Sequence, residues 1–376
     1  MTGTNATLRK ILFVLPNFAG GGAERVALTL LNQLDRRSFA PQLLVLEGTG
    51  PLRLLLAPEV TLQEIGSPRL RRALPALLSV IRRERPAIVF ASQGYLNIAL
   101  LAARCFMPAG TRIVLRESNT PSQSLPNRRH PRLMTAAYRW LYPRADLLFC
   151  QHQKTEQEMR ATFRVPADRI AGLPNPVPVA RLRQSAASPL RSEGIGLRFA
   201  AAGRLHRQKG FDRLIELFIE LPDDARLTIY GEGEDQAALL QQIHDRGLNQ
   251  RIILAGFTDK LAAALAGADA CVISSRWEGL PNVALESLAV GTPVIATPES
   301  GGIAELADAA APGAVSVVPW GSDFAARMAS CRPRHLAAPA PSLLPERYAL
   351  ENVAAIFNEQ LHRLAEQPGA ADERQL

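Results

Sequence analysis

Short, nearly uninterrupted apolar runs alternate with amphipathic stretches along this chain, and a proline-rich segment breaks the pattern once, near the middle. Lys10–Pro16 reads as a buried strand, Asn17–Gly22 as a glycine-rich loop and Ala23–Leu34 as a helix. Strands near 42–46, 87–91, 112–116 and 146–150 follow, with helices near 70–84, 95–106, 131–142 and 153–163. Apolar runs of this kind belong in a parallel sheet covered on both faces. Leu173-Pro-Asn-Pro-Val-Pro178 then interrupts the series, and Ala180–Gly196, rich in Arg, Ser and Ala, reads as an irregular interdomain linker. The pattern restarts at Leu197, with strands at 226–230, 251–254, 269–273 and 293–296 and helices at 211–220, 236–246, 259–266 and 282–290. Residues 332–345 read as a loop, Tyr348–Glu366 as a final amphipathic helix and the polar tail from Gln367 as disordered.

The expected fold is therefore α/β, with two doubly wound, Rossmann-like parallel-sheet domains at residues 1–178 and 179–376 and a final helix free to pack back on the first. Such sheets carry their ligand sites at the carboxyl ends of the strands. Two of them facing a central cleft suit a reaction between two bound substrates from which water is kept. The length of 376 residues fits two domains, and 47% hydrophobic with 21% charged residues fits a globular core. No apolar stretch approaches the roughly twenty residues needed to span a bilayer. Met1–Leu8 lacks the apolar core of a signal peptide, so a cytoplasmic protein is expected. Cys105, Cys150, Cys271 and Cys331 are widely spaced and read as reduced thiols, not as disulfides or a zinc site. Charge is asymmetric. Residues 1–180 hold 24 Lys and Arg against 11 Asp and Glu, and the remainder holds 19 against 24. The two halves should meet different partners.

Chemistry-bearing residues concentrate in the second half. Gly203-Arg-Leu-His-Arg-Gln-Lys-Gly210 lies between a strand and a helix. Gly203 lets backbone N–H groups face a ligand, and Arg204 and Lys209 can hold a diphosphate and offset the charge that grows on it as it leaves. A solvated basic loop has the same composition. Glu278-Gly-Leu-Pro-Asn-Val-Ala-Leu-Glu286 follows a strand and enters a helix. Its two carboxylates are spaced to grip hydroxyls, or to cap and solvate a helix end.

Taken in order, Gly20-Gly-Gly-Ala-Glu24, Asn175-Pro176, Gly203-Arg204 with Lys209-Gly210, and Glu278 to Glu286 resemble family 4 of the glycosyltransferases, retaining enzymes of the GT-B architecture. Pro298–Glu305, with Ser300-Gly-Gly302, resembles that family's loop near the diphosphate. The resemblance implies a nucleotide-sugar-dependent hexosyltransferase. Arg204 and Lys209 would bind the donor diphosphate, Glu286 the ribose, and Glu278 with Gly279, Leu280, Pro281 and Asn282 the donor sugar. Gly301 would lie by the diphosphate, Phe257 near the base, and Gly21 and Gly22 would allow close approach of phosphate and acceptor. Glu24 and Arg25 can serve structure instead. No cofactor and no metal are implied, because arginine and lysine take the place of a divalent ion. A uridine diphosphate sugar is the expected donor and a glycan or lipid-linked molecule of envelope polysaccharide synthesis the expected acceptor.

The first half departs from the family pattern. Many members carry a histidine after the fourth or fifth strand, whereas Ala91-Ser-Gln-Gly94 and Arg116-Glu-Ser-Asn-Thr-Pro121 contain none. Glu117, Ser118 and Asn119 offer polar contacts, and His152 is another candidate or a structural residue; His206 has no assigned role. Asn127–Tyr142 joins arginines to Tyr138, Trp140 and Tyr142, either as an ordinary packed helix or as a peripheral contact with anionic membrane at its inner face. No nucleic-acid-binding module is present. A nucleotide-sugar epimerase of the same architecture and a non-catalytic nucleotide-sugar-binding scaffold remain alternatives.

Overall fold

The computed structural model describes residues 8–191, 196–334 and 340–367. Its strands are β1 (Arg9–Leu15), β2 (Phe39–Val45), β3 (Thr61–Glu64), β4 (Ile88–Ala91), β5 (Arg112–Glu117), β6 (Leu147–Cys150), β7 (Ile170–Gly172), β8 (Arg198–Ala202), β9 (Arg226–Tyr230), β10 (Ile252–Gly256), β11 (Ala270–Ile273), β12 (Val294–Ala296) and β13 (Val315–Val317). Its helices are α1 (Gly22–Asn32), α2 (Leu70–Glu84), α3 (Gly94–Ala102), α4 (Pro121–Ser124), α5 (Pro131–Leu141), α6 (Gln153–Ala161), α7 (Val179–Ser185), α8 (Phe211–Leu217), α9 (Gln236–Asp245), α10 (Leu261–Gly267), α11 (Asn282–Ala289), α12 (Ile303–Ala309), α13 (Ser322–Ala329) and α14 (Leu350–Glu366). Two compact units result: residues up to Pro176 with those from Glu351 onward, and Val177–Leu350. The final helix is thus part of the first unit. Residues 1–7 and 368–376, read above as a polar start and tail, lie outside the described residues, as do 335–339 of the proline- and alanine-rich loop.

The first unit is a parallel sheet ordered β3-β2-β1-β4-β5-β6-β7. Its central strand shows why the apolar runs are unbroken. Ile11, Phe13 and Leu15 of β1 enter one core layer and Leu12 and Val14 the other, so successive side chains are buried on opposite faces. Helices α1 and α14 cover the first layer, and α2, α3, α5 and α6 the second. Phe357 of α14 is fully buried against Phe13, Phe90 and Phe149, with ring centroids 6.3, 5.8 and 5.4 Å away.

The second unit is a parallel sheet ordered β10-β9-β8-β11-β12-β13. Phe199 and Ala201 of β8 face the layer covered by α8, α9 and α13, while Ala200 faces α10, α11 and α12. The structure corrects the linker reading at one point: Val179–Ser185 is helical. Its neighbours Val177 and Ala186 are buried, and Val179 and Leu182 pack against the same layer as α10 and α11. The proline content before it and the arginines within it hide three apolar anchors at helical spacing. The short strands β3, β7 and β13 also go beyond the sequence reading; all three are sheet edges, where burial on two faces is incomplete and the apolar signal is weak.

Phe357→Ala is expected to lower the unfolding free energy of the first unit by about 3–5 kcal/mol. Chemical denaturation measures this, and an unchanged midpoint would mean that α14 is not part of that core.

Candidate functional site

In the second unit the strand order reverses between β8 and β11: β8 continues to β9 on one side, and β11 to β12 on the other. The loops leaving these neighbouring strands diverge, and the gap between them is where open parallel sheets bind ligands. Gly203, Arg204 and Lys209 follow β8; Glu278, Gly279, Leu280 and Pro281 follow β11; Asn282 opens α11; Gly301 follows β12; and Phe257 follows β10. Phe257 is 58% exposed, and Arg204 is exposed at its strand end.

Lys209 and Glu278 meet across the reversal. The Lys209 ammonium donates to Glu278 Oε1, and the same oxygen accepts the Ser275 hydroxyl at 2.7 Å. The cation expected on the diphosphate and the acid expected on the sugar are therefore ion-paired to each other. Glu278 and Ser275 are almost fully buried, where an unpaired carboxylate would be costly. The lysine stem lies along Gly203, so a Cβ there would press on its methylene carbons, 2.8 Å away at the nearest. Glu286 sits one turn into α11. Burial pushes the nearby Cys271 thiol up to about 12, and of the surrounding charges Glu286 raises it while Lys209 lowers it, so both lie within electrostatic reach of one point.

The loops carrying this pair are laced together. Arg213 of α8 donates from Nε to the Ser274 carbonyl and from a terminal nitrogen to the Ser275 carbonyl, each at 2.8 Å, and its guanidinium lies 4.4 Å from the centre of the Trp320 ring. Arg276 forks onto Asp212 with two 2.6 Å bonds, and the Arg276 N–H donates to the Gln208 carbonyl at 2.7 Å. His206 caps the turn at 207–209 by accepting the Gln208 N–H at 3.1 Å, which gives it a structural role. From the next loop, the Gly302 N–H donates to the Gly279 carbonyl at 2.6 Å. Gly301 is left-handed (φ 63°), and any Cβ there would collide with the carbonyl oxygens of Glu278 and Gly279.

The first unit repeats the arrangement. Its strand order reverses between β1 and β4. Gly21 is the N-cap of α1 and Gly22 its first residue. The carboxylate of Glu24, which is buried, lies over Gly21 and accepts from Gln93, the N-cap of α3. The close approach expected of a ligand at Gly21 is thus made here by a protein carboxylate. At the carboxyl end of β5, Glu117 is buried, and burial raises its pKa; Tyr142 and Tyr138 donate to Oε2 at 2.7 and 3.1 Å. Arg116 is completely buried and donates to Asn175, and burial brings its pKa down to about 10. His152 caps α6, its Nδ1 accepting the Thr155 N–H at 3.3 Å. Sequence reading singled out Glu117 and Asn175 but not their partners. Tyr138 and Tyr142 lie 21 and 25 residues from Glu117, and Arg116 lies 59 from Asn175, with no local pattern to link them.

Burial, aided by Lys154, lowers the His152 pKa from 6.5 to about 4. As pH falls from 6.5 toward 4, the unfolded chain takes up a proton that the folded protein refuses, and stability is lost, by up to about 3 kcal/mol. His152→Asn keeps a capping acceptor and should show a shallower acid limb in melting temperature against pH; an identical limb would remove His152 as the cause. Gly301→Ala should destabilise the second unit by more than about 1 kcal/mol, read as a lower melting temperature.

Residues 20–181 match the family described as Glycosyltransferase Family 4, and residues 192–331 match Glycosyl transferases group 1. An uncharacterised glycosyltransferase of Methanocaldococcus jannaschii is 27% identical over 59% of this chain, which spans 58% of that relative's length. The Campylobacter jejuni N-acetylgalactosamine-N,N'-diacetylbacillosaminyl-diphospho-undecaprenol 4-alpha-N-acetylgalactosaminyltransferase is 27% identical over 80% of this chain and 83% of its own. Among solved structures, Anabaena HepE in complex with UDP and glucose superposes with a TM-score of 0.75 at 18% identity, covering 94% of this chain and all of its own. WaaG, a glycosyltransferase of lipopolysaccharide biosynthesis, superposes with a TM-score of 0.65 at 15% identity, covering 95% of each chain. The fold is GT-B, and the chain belongs to family 4 of the nucleotide-sugar-dependent glycosyltransferases.

Proposed function

We propose that the protein transfers a sugar from a uridine diphosphate donor, with retention of anomeric configuration, to a glycan or lipid-linked acceptor of bacterial envelope polysaccharide synthesis. The observation that carries this reading is the pairing of Lys209 with Glu278 at the strand-order reversal, with Arg204 exposed on the same loop. A donor diphosphate competes with Glu278 for Lys209. Its arrival frees the carboxylate to accept sugar hydroxyls while Lys209 and Arg204 take up phosphate charge. The bond from the anomeric carbon to the diphosphate breaks, and the acceptor oxygen bonds to that carbon from the same face. The acceptor proton passes to the departing phosphate oxygen. The two cations stabilise the charge that develops on the leaving group, the kind of interaction that strengthens in the transition state. Glu286 accepts the ribose hydroxyls, Phe257 lies toward the base, and Gly301 holds the loop that closes on Gly279.

The choice of uridine nucleotide and of acceptor is supported by two similar proteins, one solved with UDP and glucose and one named for transfer to a diphospho-undecaprenol glycan. Among the described residues no helix is long and apolar enough to cross a membrane. A lipid-linked acceptor would then be met at the cytoplasmic face by the basic first unit.

A panel of nucleotide sugars tests the donor, since a ligand that binds only the folded state raises its melting temperature. UDP-sugars are expected to stabilise the protein. Lys209→Ala and Glu286→Ala should each weaken that shift and lower transfer by about a hundredfold or more. Variants that bind and transfer like the parent would refute the site assignment. Conversion of the donor to an epimer without acceptor would refute transfer.

A further inference from the structure

We propose that the outer face of α5 docks on an anionic lipid bilayer. From Ser118 to Ala145 the chain contains no Asp or Glu, yet it carries Arg128, Arg129, Arg132, Arg139 and Arg144, all exposed. Helical periodicity sorts α5 into rows. Leu133, Ala136 and Trp140, at i, i+3 and i+7, form one outward row, with Leu133 68% and Trp140 73% exposed. Arg132 and Arg139, two turns apart, form the row beside it. Phe106, 56% exposed, stands near the carboxyl end of the helix, where Arg104 donates to the Arg144 carbonyl at 2.7 Å. Single exposed apolar residues are ordinary on a soluble surface. An apolar row with a large indole, lined along its length by arginines and free of acids, has the form of a helix that lies in a bilayer interface. The arginines meet lipid phosphates while leucine and tryptophan enter the acyl boundary. A polyanion such as nucleic acid would use the arginines but leave Leu133 and Ala136 in water.

The inner face of the same helix ties this surface to the candidate site of its unit. Tyr138 and Tyr142 stack with centroids 4.2 Å apart, and both hydroxyls hold Glu117 at the carboxyl end of β5. A bilayer that fixes α5 therefore fixes the 117–121 segment against the membrane plane. The purpose of such docking, access to a lipid-linked acceptor, rests on the function proposed above; the docking itself does not.

The full-length protein is sedimented with vesicles of phosphatidylcholine alone and of phosphatidylcholine mixed equally with phosphatidylglycerol. It should pellet with the mixed vesicles at low salt, detach at high salt and show a blue shift of tryptophan emission on binding. Leu133→Glu with Trp140→Glu, and separately Arg132→Glu with Arg139→Glu, should weaken partition by about tenfold or more. A parent that ignores the mixed vesicles, or variants that bind them as the parent does, would overturn the proposal. The UDP-induced rise in melting temperature, measured without vesicles, reports on the second unit. A far-ultraviolet circular dichroism spectrum and an unfolding midpoint like the parent's show that the first unit is folded in both variants, and persistence of the UDP shift separates a failure of docking from a failure of the donor reading.

Discussion

Lys209 and Glu278 touch because the chain leaves neighbouring strands in opposite directions. In a parallel sheet covered by helices on both faces, strand interiors are closed to ligands and only the strand ends are open. Where the order reverses, no crossover fills the space above the two strands, and side chains from distant loops can meet there. Each unit uses its reversal in the same way, with Lys209 to Glu278 in the second and Gln93 to Glu24 in the first. Both bridges join residues 69 apart, at corresponding places in two sheets of the same winding.

The charged pair is held by geometry as well as by Coulomb attraction. Arg213, planar and with several fixed donors, spans two successive carbonyls and stacks on Trp320, which a flexible ammonium could not do. Arg276 draws the loop after β11 onto α8. The Glu278 carboxylate is thus presented from a loop that is held in place, and charges fixed in this way are the ones that contribute most to catalysis.

Helix α5 has a different character on each side. The inward tyrosines carry hydroxyls that serve a buried carboxylate, and the outward residues combine arginine with exposed leucine and tryptophan. Aromatic residues that look alike in the sequence thus have separate duties: Tyr138 and Tyr142 are core, and Trp140 is surface.

The class of fold was legible in the sequence because β1, β4, β5 and β6 are buried on both faces and therefore read as continuous apolar runs. The loops after β8 and β11 were legible as a candidate site because glycine, arginine, lysine and glutamate stand at spacings set by one strand-to-helix turn. Edge strands β3, β7 and β13 and helix α7 were not, since partial burial leaves a weak pattern. The partners of Glu117, Arg116 and Glu278 were decided only by the tertiary structure. Each contact joins loops or helices that follow different strands, and which strands become neighbours is a property of the sheet order, not of any local run of residues.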